Sequence, residues 1–251
     1  MSQATQSEID NFFDTRWGLY KADLERVLNA LDGNGAGSNF ASAILVLAAM
    51  EQFAKVYSPT SMRRGENRFR TVRIRQERFD DIQAKHSVKL FFNKYMSPID
   101  ARYSTYGPWI WDVFRNGLTH LFFSKKITDV PLQQIENSFL TGVHWPGPLN
   151  DIQNNPGLLN TVRQENMSFN IAGNVRGIPR PVFRIVPHIF YLDLVQATIQ
   201  FKHDIETIPY RKKMFTNGIR LMDRARRKPF IHNDLPQNVR RQMVREIRNL
   251  I

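Results

Sequence analysis

One stretch of the chain decides the expected fold: Pro108-Trp109-Ile110-Trp111-Asp112-Val113-Phe114-Arg115-Asn116-Gly117-Leu118-Thr119-His120. It predicts an apolar, aromatic helix that begins at Pro108, because proline suits the first turn of a helix, where its missing amide has no partner to lose. At 100° per residue, Trp109, Val113, Asn116 and His120 share one narrow stripe. The pattern therefore predicts that Asn116 and His120 point in the same direction as core-facing residues.

The hexapeptide at the end of this helix brings together three side chains suited to phosphodiester chemistry. Arg115 can neutralise a phosphate, His120 can move a proton near neutral pH, and Asn116 can orient either of them. Gly117 costs about 1 kcal/mol of helix propensity relative to alanine, which indicates close approach of another backbone or a ligand. Arg115 lies about 140° around the helix from His120. The two converge on one phosphate only if the arginine reaches around or the helix loosens near Gly117.

The spacing of arginine five residues before histidine occurs a second time, in Arg227-Lys228-Pro229-Phe230-Ile231-His232. Pro229 removes a helical amide there, so those side chains are not expected to share one regular helix. The spacing alone is therefore weak support for a site, and the helical context carries the prediction for the first copy.

An Arg-Asn-x-x-x-His motif late in a helix, after an all-helical N-terminal half, resembles the HEPN superfamily. The string from Phe114 to His120 is similar to bacterial members of unknown or defence-related role, and the resemblance covers roughly residues 7–126. It implies a helical bundle that usually forms a homodimer, with paired motifs lining a shared cleft. Only Arg115, Asn116 and His120 carry over residue by residue. A weaker similarity to the same superfamily occurs later in the chain, in Phe183-Arg184-Ile185-Val186-Pro187-His188-Ile189-Phe190-Tyr191-Leu192-Asp193-Leu194.

Many HEPN proteins are metal-independent endoribonucleases, which leads to the hypothesis of a toxin or phage-defence effector that cleaves RNA without a cofactor. The 2′-OH of RNA would attack the neighbouring phosphate. His120 would act as general base or acid, a second His120 in a dimer would take the opposite role, and Arg115 would stabilise the phosphoryl oxygens. Two alternatives remain open: a nucleic-acid-binding protein without catalysis, and a scaffold that binds a partner protein. If the motif is not catalytic, His120 is a packed core histidine and Arg115 forms a surface ion pair.

Glu51 is a further candidate, as a supporting residue. It falls on the helical stripe of Phe40, Ile44, Leu47 and Ala54, where a carboxylate is costly to bury unless it is paired. A bond to Arg115 or His120 would explain it and tune the histidine. Alternatively, this face reaches the edge of the bundle and Glu51 is solvated.

Composition narrows the class of protein. The 251 residues are 42% apolar with a net charge of +12 and no cysteine, so the chain is globular and has neither disulfides nor thiolate-bound zinc. The histidines and acidic residues lack metal-site spacing. No signal-peptide pattern is visible, and the longest apolar run, Ala41 to Met50, is too short to cross a bilayer. These features predict a cytoplasmic protein with no metal and no membrane partner.

The positive charge is concentrated in two segments. Residues 211–251 hold twelve basic and three acidic residues, and an arginine-rich segment lies between residues 63 and 78. Such patches supply salt-sensitive affinity for nucleic acid, although a solvated face or a dock for an acidic partner protein would have the same composition. The predicted nucleic-acid-binding residues are Arg63, Arg64, Arg68, Arg70, Arg211, Lys212, Lys213, Arg224, Arg226 and Arg227.

The pattern as a whole predicts a mainly α fold: an HEPN-like helical bundle with a small β-containing insert and extra C-terminal helices. Residues 1–126 form the bundle with the motif helix, 127–187 a Pro/Gly-rich insert, and 188–251 a return helix and a basic helical tail packed on the same domain. The expected helices span residues 7–31 (with Ser7 as N-cap), 39–57, 77–96, 108–126, 187–208, 210–227 and 236–250. The expected strands span residues 138–143, 167–172 and 182–186.

Overall fold

The computed structural model describes residues 4–30, 39–57, 86–115, 140–175 and 178–227, together with the single positions 241 and 245. These residues are mainly helical and contain one small three-stranded sheet, which confirms the predicted mainly α class. The chain divides into two compact units, Met1–Gly218 and Ile219–Ile251. The predicted segments 77–85, 116–126 and most of 236–250 lie outside the described residues.

The first helical stretch consists of α1 (Gln6–Asp10), a π-helical segment (Asn11–Trp17) and α2 (Gly18–Asn29). Its N-cap is Thr5, not Ser7 as predicted. The Thr5 hydroxyl accepts the amide of Glu8 at 3.2 Å, and the Glu8 carboxylate accepts the amide of Thr5 at 2.8 Å. This reciprocal capping box satisfies two amides at once, whereas Ser7 with Asp10 offers no such pair.

Helix α3 (Asn39–Tyr57) has the predicted bounds and lies at the centre of the first unit. It packs against α2, against the segment that leads into the motif, and against the long helix near the C-terminus of this unit. Its Phe53 stands in a group of edge-to-face and stacked rings that joins helices distant in the sequence. Other rings of this core include Phe12, Phe13, Trp17, Phe91, Phe201 and Phe215.

The next two helices each end in a π-helical segment. Helix α4 (residues 86–91) continues as Phe92–Met96, and α5 (Arg102–Ile110) continues as Trp111–Arg115. Pro108 therefore lies inside α5, and the prediction that it begins the helix is wrong. Asp100 supplies the start instead, because its carboxylate accepts the amide of Arg102 at 3.0 Å. The wide turn after Pro108 is a usual accommodation of a missing amide.

The insert contains the three predicted strands, β1 (Leu140–Val143), β2 (Ser168–Val175) and β3 (Ile178–Ile185), in the order β1-β3-β2. β1 is parallel to β3, and β2 is antiparallel to it. Two short helices, α6 (Leu149–Asn154) and α7 (Pro156–Glu165), precede β2 and were not among the predicted helices. Asn155 caps α7 by accepting the amide of Leu158 at 3.0 Å, and Pro156 occupies the first helical position.

Helix α8 (Pro187–Thr207) agrees with its prediction within one residue, and α9 (Pro209–Arg227) follows it after Ile208. α8 is buried along most of its length and packs against α3 and against Phe92–Met96. Gly218 of α9 approaches Val56 of α3 so closely that an added Cβ would lie 2.7 Å from the Val56 Cα. α8 and the first part of α9 therefore complete the helical bundle around α3.

Candidate functional site

The segment that leads into the motif is anchored in the core. Ile110, Trp111 and Phe114 are at most 2% exposed, while Trp109 and Val113 are half-buried. The predicted stripe through Trp109 and Val113 therefore runs along the border of the core and not through its centre. Within Trp111–Arg115 the helix is π-helical, with more residues per turn, so positions assigned at 100° per residue shift around the axis from there on.

The structure describes the backbone of Arg115 at the end of this segment, while Asn116 and His120 lie outside the described residues. The segment is held on two sides. It packs against α3, and Phe114 meets the Phe183 ring of β3 at 6.4 Å between centroids. The backbone segment that ends at Arg115 is therefore held in place by α3 and by β3 of the small sheet.

Glu51 lies on α3, the helix against which this segment packs. It is 5% exposed, and the Lys55 ammonium lies 2.5 Å from its Oε1. Leu47 and Ala54 on the same stripe are buried as well. The carboxylate is thus buried and paired one helical turn along α3, and the alternative of a solvated edge is wrong. The predicted bond from Glu51 to Arg115 or His120 stays a prediction, because neither of those side chains is among the described ones.

The predicted nucleic-acid-binding residues fall into three groups. Arg63, Arg64, Arg68 and Arg70 lie outside the described residues. Arg224, Arg226 and Arg227 belong to α9, but their side chains are not described. Arg211, Lys212 and Lys213 are described in the first turns of α9 and are partly or fully exposed.

Arg211 belongs to a cluster that sequence reasoning did not identify. Its guanidinium lies over the ring of Tyr57, with Cζ 4.4 Å from the centroid, and Tyr57 meets Tyr95 edge-on at 5.3 Å. The Tyr95 hydroxyl donates to Asp204 Oδ2 at 3.0 Å, and Lys94 Nζ lies 3.8 Å from the same oxygen. Burial raises the pKa of Tyr95, and the neighbouring Asp204 charge raises it further. Tyr95 therefore remains a hydrogen-bond donor.

A second polar network joins α5, α7 and α8. Asp193, fully buried, accepts the Tyr103 hydroxyl at 2.8 Å and pairs with Arg163 at 2.8 Å. Burial raises the pKa of Asp193, whereas the Arg163 charge and the Tyr103 hydrogen bond oppose that rise. Tyr103 is equally buried, and burial raises its pKa well above the usual value. Because the Asp193 carboxylate has no contact with solvent, this network stabilises the packing of the helices that it joins.

Arg102 connects this network to the backbone. Its guanidinium donates to the carbonyl oxygens of Arg163 and Asn166 at 2.9 Å and 2.5 Å and pairs with Asp100 at 2.6 Å. Burial alone would raise the pKa of Asp100, but the hydrogen bonds and charge of Arg102 outweigh it and hold that pKa below its usual range. Arg102 thereby caps the end of α7, next to Met167, whose φ is 53°.

His188 is a buried histidine in the segment from Phe183 to Leu194, which shows the weaker similarity to the HEPN superfamily noted in the sequence. Its Nε2 lies 3.1 Å from the carbonyl oxygen of Leu28, and since a carbonyl can only accept, Nε2 carries the proton. Its ring meets Trp145 edge-on at 4.5 Å. Burial lowers the pKa of His188 to about 4, the Leu28 bond opposes this, and His144 lowers it further. His188 is thus a neutral helix-capping side chain at neutral pH.

The described residues contain no group of three or more histidine and acidic side chains that could hold a metal ion. Likewise, none of the helices in the described ranges is long and apolar enough to cross a membrane.

Comparison with known proteins adds no relative. No family model, no curated protein and no solved structure matches this chain significantly.

Proposed function

We propose that this protein is a metal-independent endoribonuclease whose catalytic residues are Arg115, Asn116 and His120. The 2′-oxygen of RNA bonds to the adjacent phosphorus as the bond from phosphorus to the 5′-oxygen breaks. One His120 takes the proton of the 2′-OH, and a second His120 in a homodimer gives a proton to the departing 5′-oxygen. The products are a 2′,3′-cyclic phosphate and a 5′-hydroxyl.

The observation that carries the proposal is the buried Glu51 on the helix that packs against Trp111–Arg115. A carboxylate is rarely buried unless it is paired, and Lys55 is one partner of Glu51; buried charged groups are also enriched at functional sites. Here it belongs to a helix in contact with the segment from which the arginine-histidine motif continues. A carboxylate beside an imidazole would orient the ring and favour its charged form.

The test is cleavage of RNA in the presence of EDTA. Total RNA and labelled single-stranded oligonucleotides are incubated with the full chain, and the ends of the products are examined for cyclic phosphate. We expect cleavage by the wild type and a loss of about 10²–10⁴-fold in rate for His120→Ala. Arg115→Ala should lose a comparable factor, because charge on the phosphoryl oxygens is then unopposed.

The second copy of the spacing provides the matched control. His232→Ala removes the histidine that follows Arg227 and should leave cleavage at the wild-type rate. Absence of cleavage by the wild type on every RNA, or equal loss in His232→Ala and His120→Ala, would overturn the proposal. Retention of RNA without cleavage would favour the nucleic-acid-binding alternative.

A further inference from the structure

The first turn of α9 presents an exposed aromatic ring among basic groups. Tyr210 is 62% exposed, so much of its large aromatic surface is in contact with water. The Arg211 guanidinium lies 5.8 Å from the centroid of this ring and 4.4 Å from that of the buried Tyr57. The arginine thus stands between an inner ring that fixes it and an outer ring open to solvent.

Asp204, the acidic residue of the cluster that contains Arg211, Tyr57 and Tyr95, faces inward. Asp204 is 6% exposed and accepts hydrogen bonds from Tyr95 and Gln200. Lys94, near the same carboxylate, keeps a side chain that is 49% exposed. The side of the cluster that faces solvent is therefore basic, while its negative charge is engaged in the interior.

We infer that Tyr210, Arg211, Lys213 and Lys94 form a binding surface for single-stranded RNA, in which a base stacks on Tyr210 and the cations meet the flanking phosphates. Aromatic rings interleaved with cations bind single strands because every base has a π-face and every linkage has a charge. An acidic peptide would use the cations but has no group that needs the exposed ring. The choice of RNA over other single strands rests on the proposed function.

The experiment measures binding separately from cleavage. The His120→Ala protein is titrated against a fluorescein-labelled oligouridine of about twelve nucleotides, and the dissociation constant is read from anisotropy. Tyr210→Leu should raise this constant about tenfold, a typical loss for one stacked base, whereas Tyr210→Phe should stay within about twofold. Lys213→Gln should weaken binding and lower the slope of log affinity against log salt by about 1.

Two controls address general effects of substitution. Leu19→Ala removes another highly exposed apolar side chain, and Lys89→Gln removes an exposed cation on α4. Both should bind as the parent protein does. Melting temperatures of all variants are compared, because Tyr210 is exposed and its loss should leave folding unchanged.

The outcomes separate this inference from the proposed function. Equal affinity for Tyr210→Leu and Tyr210→Phe overturns the stacking surface, even if the wild type cleaves RNA. Binding of polyglutamate that competes with the oligouridine and is unaffected by Tyr210→Leu overturns it too. Tyr210-dependent binding by a wild-type chain that cleaves nothing supports the surface while the endoribonuclease proposal fails.

Discussion

Arg163 Nη1 lies 2.8 Å from Asp193 Oδ1, and the carboxylate of this pair is fully buried. An exposed pair of nearly the same length exists on α2, where Arg26 Nη1 lies 2.9 Å from Asp23 Oδ1 with both side chains at least 70% exposed. The two pairs have nearly the same length but differ in burial, and the exposed pair lies within one helix whereas the buried pair joins α7 and α8. They therefore separate the effect of desolvation from that of distance.

Arg163→Met should destabilise the protein by about 3 kcal/mol, because it leaves the Asp193 charge buried without its cation. Arg26→Met should change stability by about 0.5 kcal/mol or less, since water already screens that pair. The free energy of unfolding is measured in urea at neutral pH for both variants. Equal losses would show that burial does not govern the strength of these pairs.

His188 makes stability depend on pH. Its pKa in the folded protein, about 4, lies below the ordinary value of 6.5, so the unfolded chain binds the proton first as pH falls. The stability that it contributes is therefore present above pH 6.5 and is lost progressively towards pH 4. The full loss is roughly 3 kcal/mol, from 1.36 kcal/mol per pKa unit.

The comparison is the unfolding free energy of wild type and His188→Gln across this pH range. Glutamine can still donate to the Leu28 carbonyl but does not titrate, so the variant should show a flatter profile. The titratable neighbour of His188 is His144, which adds repulsion when charged and itself lies 3.1 Å from the Glu165 carboxylate. His203→Gln, at an exposed position, should follow the wild-type curve. Parallel curves for His188→Gln and wild type would contradict the assignment.

Gly218 should not tolerate a side chain. An alanine Cβ there would lie 2.7 Å from the Cα and 2.8 Å from the carbonyl oxygen of Val56, and backbone cannot move aside cheaply. Gly218→Ala should cost about 1–3 kcal/mol, as overpacking usually does. At Gly18, where a Cβ would meet nothing within 4 Å, alanine should stabilise the helix by about 0.5–1 kcal/mol. Thermal unfolding of both variants checks the opposite signs.

The sequence predicted the helices and strands that depend on local pattern. The bounds of α3 followed from its apolar run and its flanking residues, and the three strands followed from short β-prone runs in the insert. The predicted helix start at Pro108 was wrong, because proline fits both the first turn of a helix and a position before a wide turn. The helix begins earlier, where the Asp100 carboxylate accepts the amide of Arg102. α7 was missed because the Asn155-Pro156 pair signals a helix start as readily as a turn, and α6 was missed because it is short and follows Pro148 without a side-chain cap.

The polar networks depend on contacts that periodicity does not contain. Asp193 bonds to Tyr103 and Arg163, which are 90 and 30 positions earlier in the chain. One sequence signal was available, since Asp193 stands among apolar residues of α8, as Glu51 does on α3. A charge on an apolar stripe predicts that a partner exists, but its identity requires the fold. The Tyr57 and Arg211 pairing likewise arises only when the end of α3 meets α9.

Glu51→Gln tests the link between the buried carboxylate and the proposed catalytic histidine. A carboxylate near an imidazole favours the protonated ring, so its removal should let His120 act as a base at lower pH. The acid limb of the pH profile for RNA cleavage should therefore move to lower pH, while KM stays near the wild-type value. Lys55→Gln, which removes the ammonium paired with Glu51, should leave the position of that limb unchanged. A lower melting temperature with an unshifted profile would show that Glu51 serves only the packing of α3, because loss of folded protein scales the rate at every pH without displacing the limb.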